Sequence, residues 1–64
     1  MKIMVLNDSG KNFKFKIMET DKRRLKPMDK KNVILPHNTF EEWTSGKKNV
    51  RLEVLKNGVE IHLE

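Results

Sequence analysis

The sequence has no cysteine and no tyrosine, and its only histidines are His37 and His62. Without cysteine it cannot form a disulfide, and two imidazoles alone are a poor start for a zinc site. We therefore predict no metal and no cofactor. With 64 residues there is room for one small domain, whose stability must come from a compact core, from self-association or from a partner.

Long apolar runs are also missing. The longest run extends from Ile3 to Leu6, which is far too short for a transmembrane helix or for the core of a secretory signal. We expect no membrane association and a cytoplasmic location. Charged residues make up 36% of the chain, but the apolar residues alternate regularly, which indicates a folded domain and not a disordered chain.

Candidate catalytic residues are scarce. Ser9 and Ser45 have no histidine near them in the sequence, and the three glycines do not form a phosphate-binding loop. His62 is predicted to face Glu53 across a hairpin, where a solvated ion pair is a better interpretation than a general base. We predict a protein without catalytic residues that is not an enzyme.

Period-two alternation of apolar residues predicts a mainly β fold. A first hairpin is predicted over about residues 1–19, with an Asp-Ser-Gly sequence in its loop. In the register that this loop favours, Val5 faces Phe13 and Ile3 faces Phe15. Every pair on that face is apolar, as expected for the side that covers a core.

A second hairpin is predicted over about residues 49–64. Its two strands alternate, and the Asn-Gly sequence between them is the strongest short signal for a hairpin turn. A two-residue turn at these positions pairs Val54 with Ile61 on the core face. It also places Arg51 opposite Glu64 on the other face, with complementary charges.

Three elements are predicted between the hairpins. Residues 20–32 are basic, contain Pro27 and lack alternation, so we expect a long loop of about this extent. Residues 33–35 form a short apolar strand. A short helix is predicted over about residues 39–45, because Asn or Thr at its start and Glu three residues later match a capping box.

The predicted fold is therefore a single mainly β domain over residues 1–64, with a barrel-like or sandwich-like sheet. It has about five short strands, arranged as two hairpins plus a short strand, and one short helix between strands three and four. Oligonucleotide-binding barrels share this element order, which is an analogy of fold alone. An SH3-like barrel and an open sheet capped by the helix are alternatives.

The positive charge is concentrated in one part of the chain. The formal net charge is +5, and residues 11–31 hold nine basic residues against three acidic ones. Such a surface attracts polyanions through salt-dependent phosphate contacts. The predicted register adds Lys2, which would face Lys16 on the outer sheet face. The predicted binding residues are Lys2, Lys14, Lys16, Lys22, Arg23, Arg24, Lys26, Lys30 and Lys31.

Nucleic acid, bound with little sequence specificity, is the partner that this charge pattern favours. The alternative is a small regulator or inhibitor of the phage or mobile-element type, which docks on an acidic partner protein or uses the outer apolar residues Met4, Leu6 and Met18. Those three residues could also be covered in a homodimer. A third interpretation needs no ligand, because lysines on strands and loops also prevent aggregation.

Overall fold

The computed structural model describes residues 1–64 and contains six β-strands and no helix. The strands are β1 (Lys2–Asn7), β2 (Phe13–Asp21), β3 (Lys26–Leu35), β4 (Thr39–Thr44), β5 (Val50–Leu55) and β6 (Gly58–Leu63). β1 and β4 form a two-stranded sheet, and the other four form a sheet in the order β3-β2-β6-β5. The mainly β class is confirmed, with six strands in place of five, and the two sheets do not close into a barrel.

The first predicted hairpin is wrong, because β1 pairs with β4 and not with β2. In the antiparallel ladder Ile3 lies opposite Trp43. The alternation in β1 places Ile3 and Val5 on one face whichever strand it joins, so the pattern does not identify the partner. The chain after β1 is held by Asn7, whose side-chain amide donates to the carbonyls of Lys11 and Leu35 at 2.7 and 3.1 Å.

The helix predicted over residues 39–45 is instead strand β4. Asn38 has a φ of 61°, and its N–H donates to the carbonyl of Asn7. The Thr39 hydroxyl donates to the Pro36 carbonyl at 2.6 Å. Neither side chain accepts a hydrogen bond from a first helical turn, as an N-cap would. Pairing with β1 satisfies backbone groups that a one-turn helix leaves unpaired, and threonine, phenylalanine and tryptophan all favour strands.

The long loop predicted over residues 20–32 is also wrong, because β2 and β3 form a hairpin joined by a four-residue turn. The Asp21 carbonyl accepts hydrogen bonds from the N–H groups of Arg24 and Leu25 at 3.1 and 2.7 Å, which closes the turn. Pro27 is tolerated because β3 is an edge strand, where a residue without an N–H removes no ladder bond.

The second predicted hairpin is confirmed, but its register is two residues from the predicted one. Val54 pairs with Val59 and not with Ile61, because the chain turns at Lys56 and Asn57. Strand β6 also pairs in parallel with β2, so these two strands form the centre of the four-stranded sheet.

The core is small and lies between the two sheets. Its buried apolar residues are Phe15, Ile17, Leu35, Ile61 and Leu63. Ile3, Val5 and Trp43 reach it from the two-stranded sheet and are partly buried. Because two strands cannot cover four, apolar side chains on the edge strand β5 stay exposed.

Candidate nucleic-acid interface

The lysines predicted to form a basic sheet face do not lie together. Lys2 belongs to the two-stranded sheet, where its Nζ is 3.7 Å from the Glu42 carboxylate. It therefore does not face Lys16, which lies on β2 with its Nζ 4.0 Å from Asp29. Across the parallel ladder, the neighbour of Lys16 on β6 is Glu60. The sheet faces thus carry mixed charges, and the predicted cradle of sheet lysines is wrong.

Lys31 has a structural contact. Its Nζ is 3.2 Å from the Glu41 carboxylate, and both side chains are about two-thirds buried or more, at 28% and 34% exposed. The ion pair joins β3 to β4 and hence one sheet to the other. Lys14, by contrast, is exposed and makes no ion pair, but its antiparallel neighbour on β3 is the apolar Ile34. Lys31 is therefore already paired within the fold, and Lys14 has no cation beside it on β3 or β6.

The remaining predicted cations gather at one end of the molecule, which we call the basic end. The β2–β3 turn carries Lys22, Arg23 and Arg24, and the segment between β4 and β5 brings Lys47 and Lys48 to the same place. None of these side chains takes part in an ion pair. The full set is Lys22, Arg23, Arg24, Lys26, Lys30, Lys47 and Lys48.

The basic end is concave. Lys22, Lys47 and Lys48 line an open depression of about 650 Å³. Lys30 and Lys47 line a smaller one of about 150 Å³, so Lys47 lies between the two. Glu64 also lines the larger depression, and Glu19 and Asp21 line the smaller one. A concave surface with several cations suits a chain of phosphates better than a flat lysine surface does, because several cations can approach the same anion.

The turn that presents Arg23 and Arg24 is fixed through its backbone. The Asp21 carboxylate accepts a hydrogen bond from the Arg23 N–H at 2.9 Å, and Leu25 completes the turn with a φ of 54°. An acidic side chain used in this way holds the turn without forming an ion pair with the arginine side chains. The guanidinium groups are therefore free to bind a ligand.

Lys47 and Lys48 are the functional candidates that the sequence did not reveal. They lie between β4 and β5, far in sequence from the basic turn. The Lys-Lys pair next to Gly46 is a visible signal, but only the tertiary fold shows that it lies beside Lys22.

Glu19 is the acidic group inside the basic end. Trp43 Nε1 donates a hydrogen bond to Glu19 Oε1 at 3.2 Å. The Ser45 hydroxyl contributes most to lowering the pKa of Glu19 below its ordinary value of 4.5, and Trp43 and the charges of Lys30 and Lys47 add to this, against the opposite effect of burial. The carboxylate is therefore ionised at neutral pH and connects β2 to the end of β4.

Replacing Glu19 with glutamine is expected to make the free energy of unfolding depend less on pH in the acidic range. Because the folded-state pKa is lowered, the ionised carboxylate stabilises the protein above about pH 4.5, and this contribution is lost as the pH falls through the folded-state pKa. Denaturant unfolding should show a smaller loss of stability between neutral and acidic pH in Glu19→Gln than in wild type. Asp8→Asn, at an exposed position, is the control. Parallel curves for wild type and Glu19→Gln would contradict the prediction.

The apolar residues predicted as an alternative interface are divided between two surfaces. Met4 and Leu6 lie on β1 and are each 62% exposed, and Leu6 is paired with the exposed Phe40 of β4. Met18 lies on β2 in the other sheet and is partly buried. The three residues therefore do not form one patch, although Met4 and Leu6 do share a surface.

Glu53, Glu60 and His62 are the side chains best placed to hold a metal ion, with one ligand atom of each within 4.8 Å of the others. Nε2 of His62 lies 2.8 Å from Glu60 and 3.5 Å from Glu53. A metal-binding imidazole normally donates its other ring N–H to an acceptor. The buried Nδ1 of His62 has no such partner. The cluster therefore fits a histidine that donates from Nε2 to Glu60 better than it fits a metal centre.

No helix in this fold is long and apolar enough to cross a membrane. Comparison of the chain with models of protein families, with curated proteins and with solved structures gives no match.

Proposed function

We propose that this protein is a cytoplasmic, non-enzymatic module that binds the phosphate backbone of nucleic acid through its basic end. One observation carries the proposal: seven cations lie at the basic end, three of them line its larger depression, and none of the seven takes part in an ion pair. Cations that are held close together repel one another, and a polyanion relieves that repulsion.

Recognition at this end depends on phosphate and not on base identity. Contacts from lysine to phosphate position a protein on nucleic acid but carry no sequence information. Stacking of bases needs exposed aromatic rings, and Trp43, the aromatic residue nearest the basic end, is partly buried and donates to Glu19. Single strands and duplexes should therefore bind with similar affinity.

The test is a titration of the labelled full-length protein with short single-stranded and duplex oligonucleotides, followed by amide NMR. Shifts are expected in the β2–β3 turn, in neighbouring β3 and around Lys47 and Lys48, and they should fade as salt rises. For a contact with several phosphates, affinity should fall by about 10³-fold between low and near-physiological salt. No shifts at low salt would remove nucleic acid as the ligand. An acidic protein would then be the next partner to test at the same residues.

Two matched double variants locate the interface. Arg23→Ala with Arg24→Ala removes two charges from the basic end, and we expect affinity to fall about tenfold or more, with the salt slope reduced by about two. Lys11→Ala with Lys56→Ala removes two unpaired cations from the opposite end of β2, where both line a different depression. Equal losses in both variants would show that net charge alone, and not the basic end, determines binding.

A further inference from the structure

Strand β5 carries an apolar face that nothing covers. Its residues Val50, Leu52 and Val54 pair with Leu63, Ile61 and Val59, so they lie on the core side of the four-stranded sheet. Leu63 and Ile61 are buried, whereas Leu52 and Val54 are 62% and 83% exposed. The core surface therefore extends one strand beyond the area that the two-stranded sheet covers.

An open groove runs between β1 and β5. It has a volume of about 580 Å³, and nine of its ten lining residues are hydrophobic. Val59 and Ile61 contribute from β6, Val50 and Leu52 form one side, and residues 1–6 form the other. An exposed, contiguous apolar groove of this kind on a small domain commonly marks a site that binds another molecule.

Both strands that border the groove have free backbone edges. Met1 and Ser45 exchange both of their backbone hydrogen bonds, and so do Asn49 and Glu64. In an antiparallel ladder the intervening residues direct their N–H and C=O groups away from the partner strand. The outward groups therefore belong to Lys2, Met4 and Leu6 on β1, and to Val50, Leu52 and Val54 on β5.

The apolar face of β5 has little protection. Natural sheets shield exposed edges with charged side chains, proline, bulges or a covering segment. β5 has no proline and its register with β6 is regular, and its charged residues Arg51 and Glu53 lie on the face opposite the apolar one. An edge with free hydrogen-bonding groups, next to an uncovered apolar face, is a template for an added strand.

We propose that this groove accepts one extended segment of a partner protein, which pairs with β1 or β5 and places alternate apolar side chains over Val50, Leu52 and Val54. The segment has acidic residues at the end that extends past Val54. There the apolar surface continues into a depression lined by Lys11 and Lys56, and neither lysine forms an ion pair. These cations favour an acidic strand and disfavour a second copy of a chain whose net charge is +5.

The experiment is a selection of random linear peptides, displayed on phage, against the immobilised full-length protein. The expected consensus alternates apolar with polar residues and has aspartate or glutamate at one end. A bound consensus peptide should slow amide hydrogen exchange by at least about tenfold at outward-facing N–H groups such as those of Leu52 and Val54. Failure to enrich such a consensus, or binding without protection of any outward N–H on β1 or β5, would overturn the proposal.

A pair of charge variants tests the position of the segment. Leu52→Lys places a charge in the groove and should weaken the selected peptide at least about tenfold. Ile34→Lys makes the same change on β3 at a similar exposure, 58% against 62%, and should leave affinity unchanged. Equal losses of peptide affinity in the two variants would contradict binding in the groove. A dimer in light scattering that Leu52→Lys dissociates would show that a second copy is the occupant.

Discussion

Replacing Gly58 with alanine is expected to destabilise this protein more than any exposed substitution, by about 3 kcal/mol or more. A Cβ at this position would lie 2.0 Å from the Lys14 carbonyl oxygen and 2.8 Å from its carbonyl carbon. Both atoms belong to the backbone of the central strand β2, so no side-chain rotation relieves the clash. The Lys14 N–H also donates to the Asn57 carbonyl at 2.9 Å, which keeps the two segments close. In a 64-residue chain with a small core, this cost approaches the whole stability.

Gly46→Ala is the matched control, because no heavy atom lies within 4 Å of its added Cβ and its φ is not positive. Urea unfolding followed by tryptophan fluorescence or circular dichroism measures both variants. Gly46→Ala should stay within about 0.5 kcal/mol of wild type. If Gly58→Ala were as stable as Gly46→Ala, the close parallel approach of β2 and β6 would be wrong.

Gly58 also shows why the second hairpin was predicted with the wrong register. An Asn-Gly pair usually supplies the positive φ values of a two-residue turn. Here neither residue has a positive φ, and the turn is at Lys56 and Asn57. The glycine is needed because β2 passes too close for a side chain. Only the tertiary pairing reveals that requirement, since Lys14 is far from Gly58 in sequence.

Alternation predicted β1, most of β2, β5 and β6 as strands, but not which strands pair. It did not predict β4, where we expected a helix, or residues 26–32 of β3, where we expected a loop. The pairings of β1 with β4 and of β2 with β6 join distant parts of the chain, and apolar faces alone allow several such arrangements. The helix prediction failed for the same reason, because a local capping signal lost to the ladder with β1.

The sequence predicted the part of the candidate site that is formed by neighbouring residues. The cations of residues 22–30 are close together along the chain, so they cluster in space even though the predicted loop is a hairpin. The prediction that Lys2 faces Lys16 depended on a pairing of β1 with β2, and it failed because β1 pairs with β4. Lys47 and the groove beside β5 depend on contacts between segments that no spacing in the sequence encodes.

Asn7→Ala is the second substitution expected to have a large effect, about 2–4 kcal/mol of the free energy of unfolding. Asn7 is 2% exposed, and its amide nitrogen lies 2.7, 3.1 and 3.2 Å from the carbonyl oxygens of Lys11, Leu35 and Pro36. Its Oδ1 accepts hydrogen bonds from the N–H and the hydroxyl of Ser9. Alanine leaves these buried or partly buried groups without a partner. It also removes a tie between β1 and the end of β3, and hence between the two sheets.

Asn32→Ala is the control, since Asn32 is exposed on β3 and its side chain makes no hydrogen bond. Urea unfolding should place it within about 0.5 kcal/mol of wild type. The destabilised Asn7→Ala should also show faster amide exchange in β1 and β4 than in β2 and β6, because Asn7 ties the two-stranded sheet to the end of β3. Uniform exchange across both sheets would mean that Asn7 stabilises the whole fold and not the junction between the sheets. Selective loosening would show that Asn7 helps to hold in place the wall of the groove formed by β1.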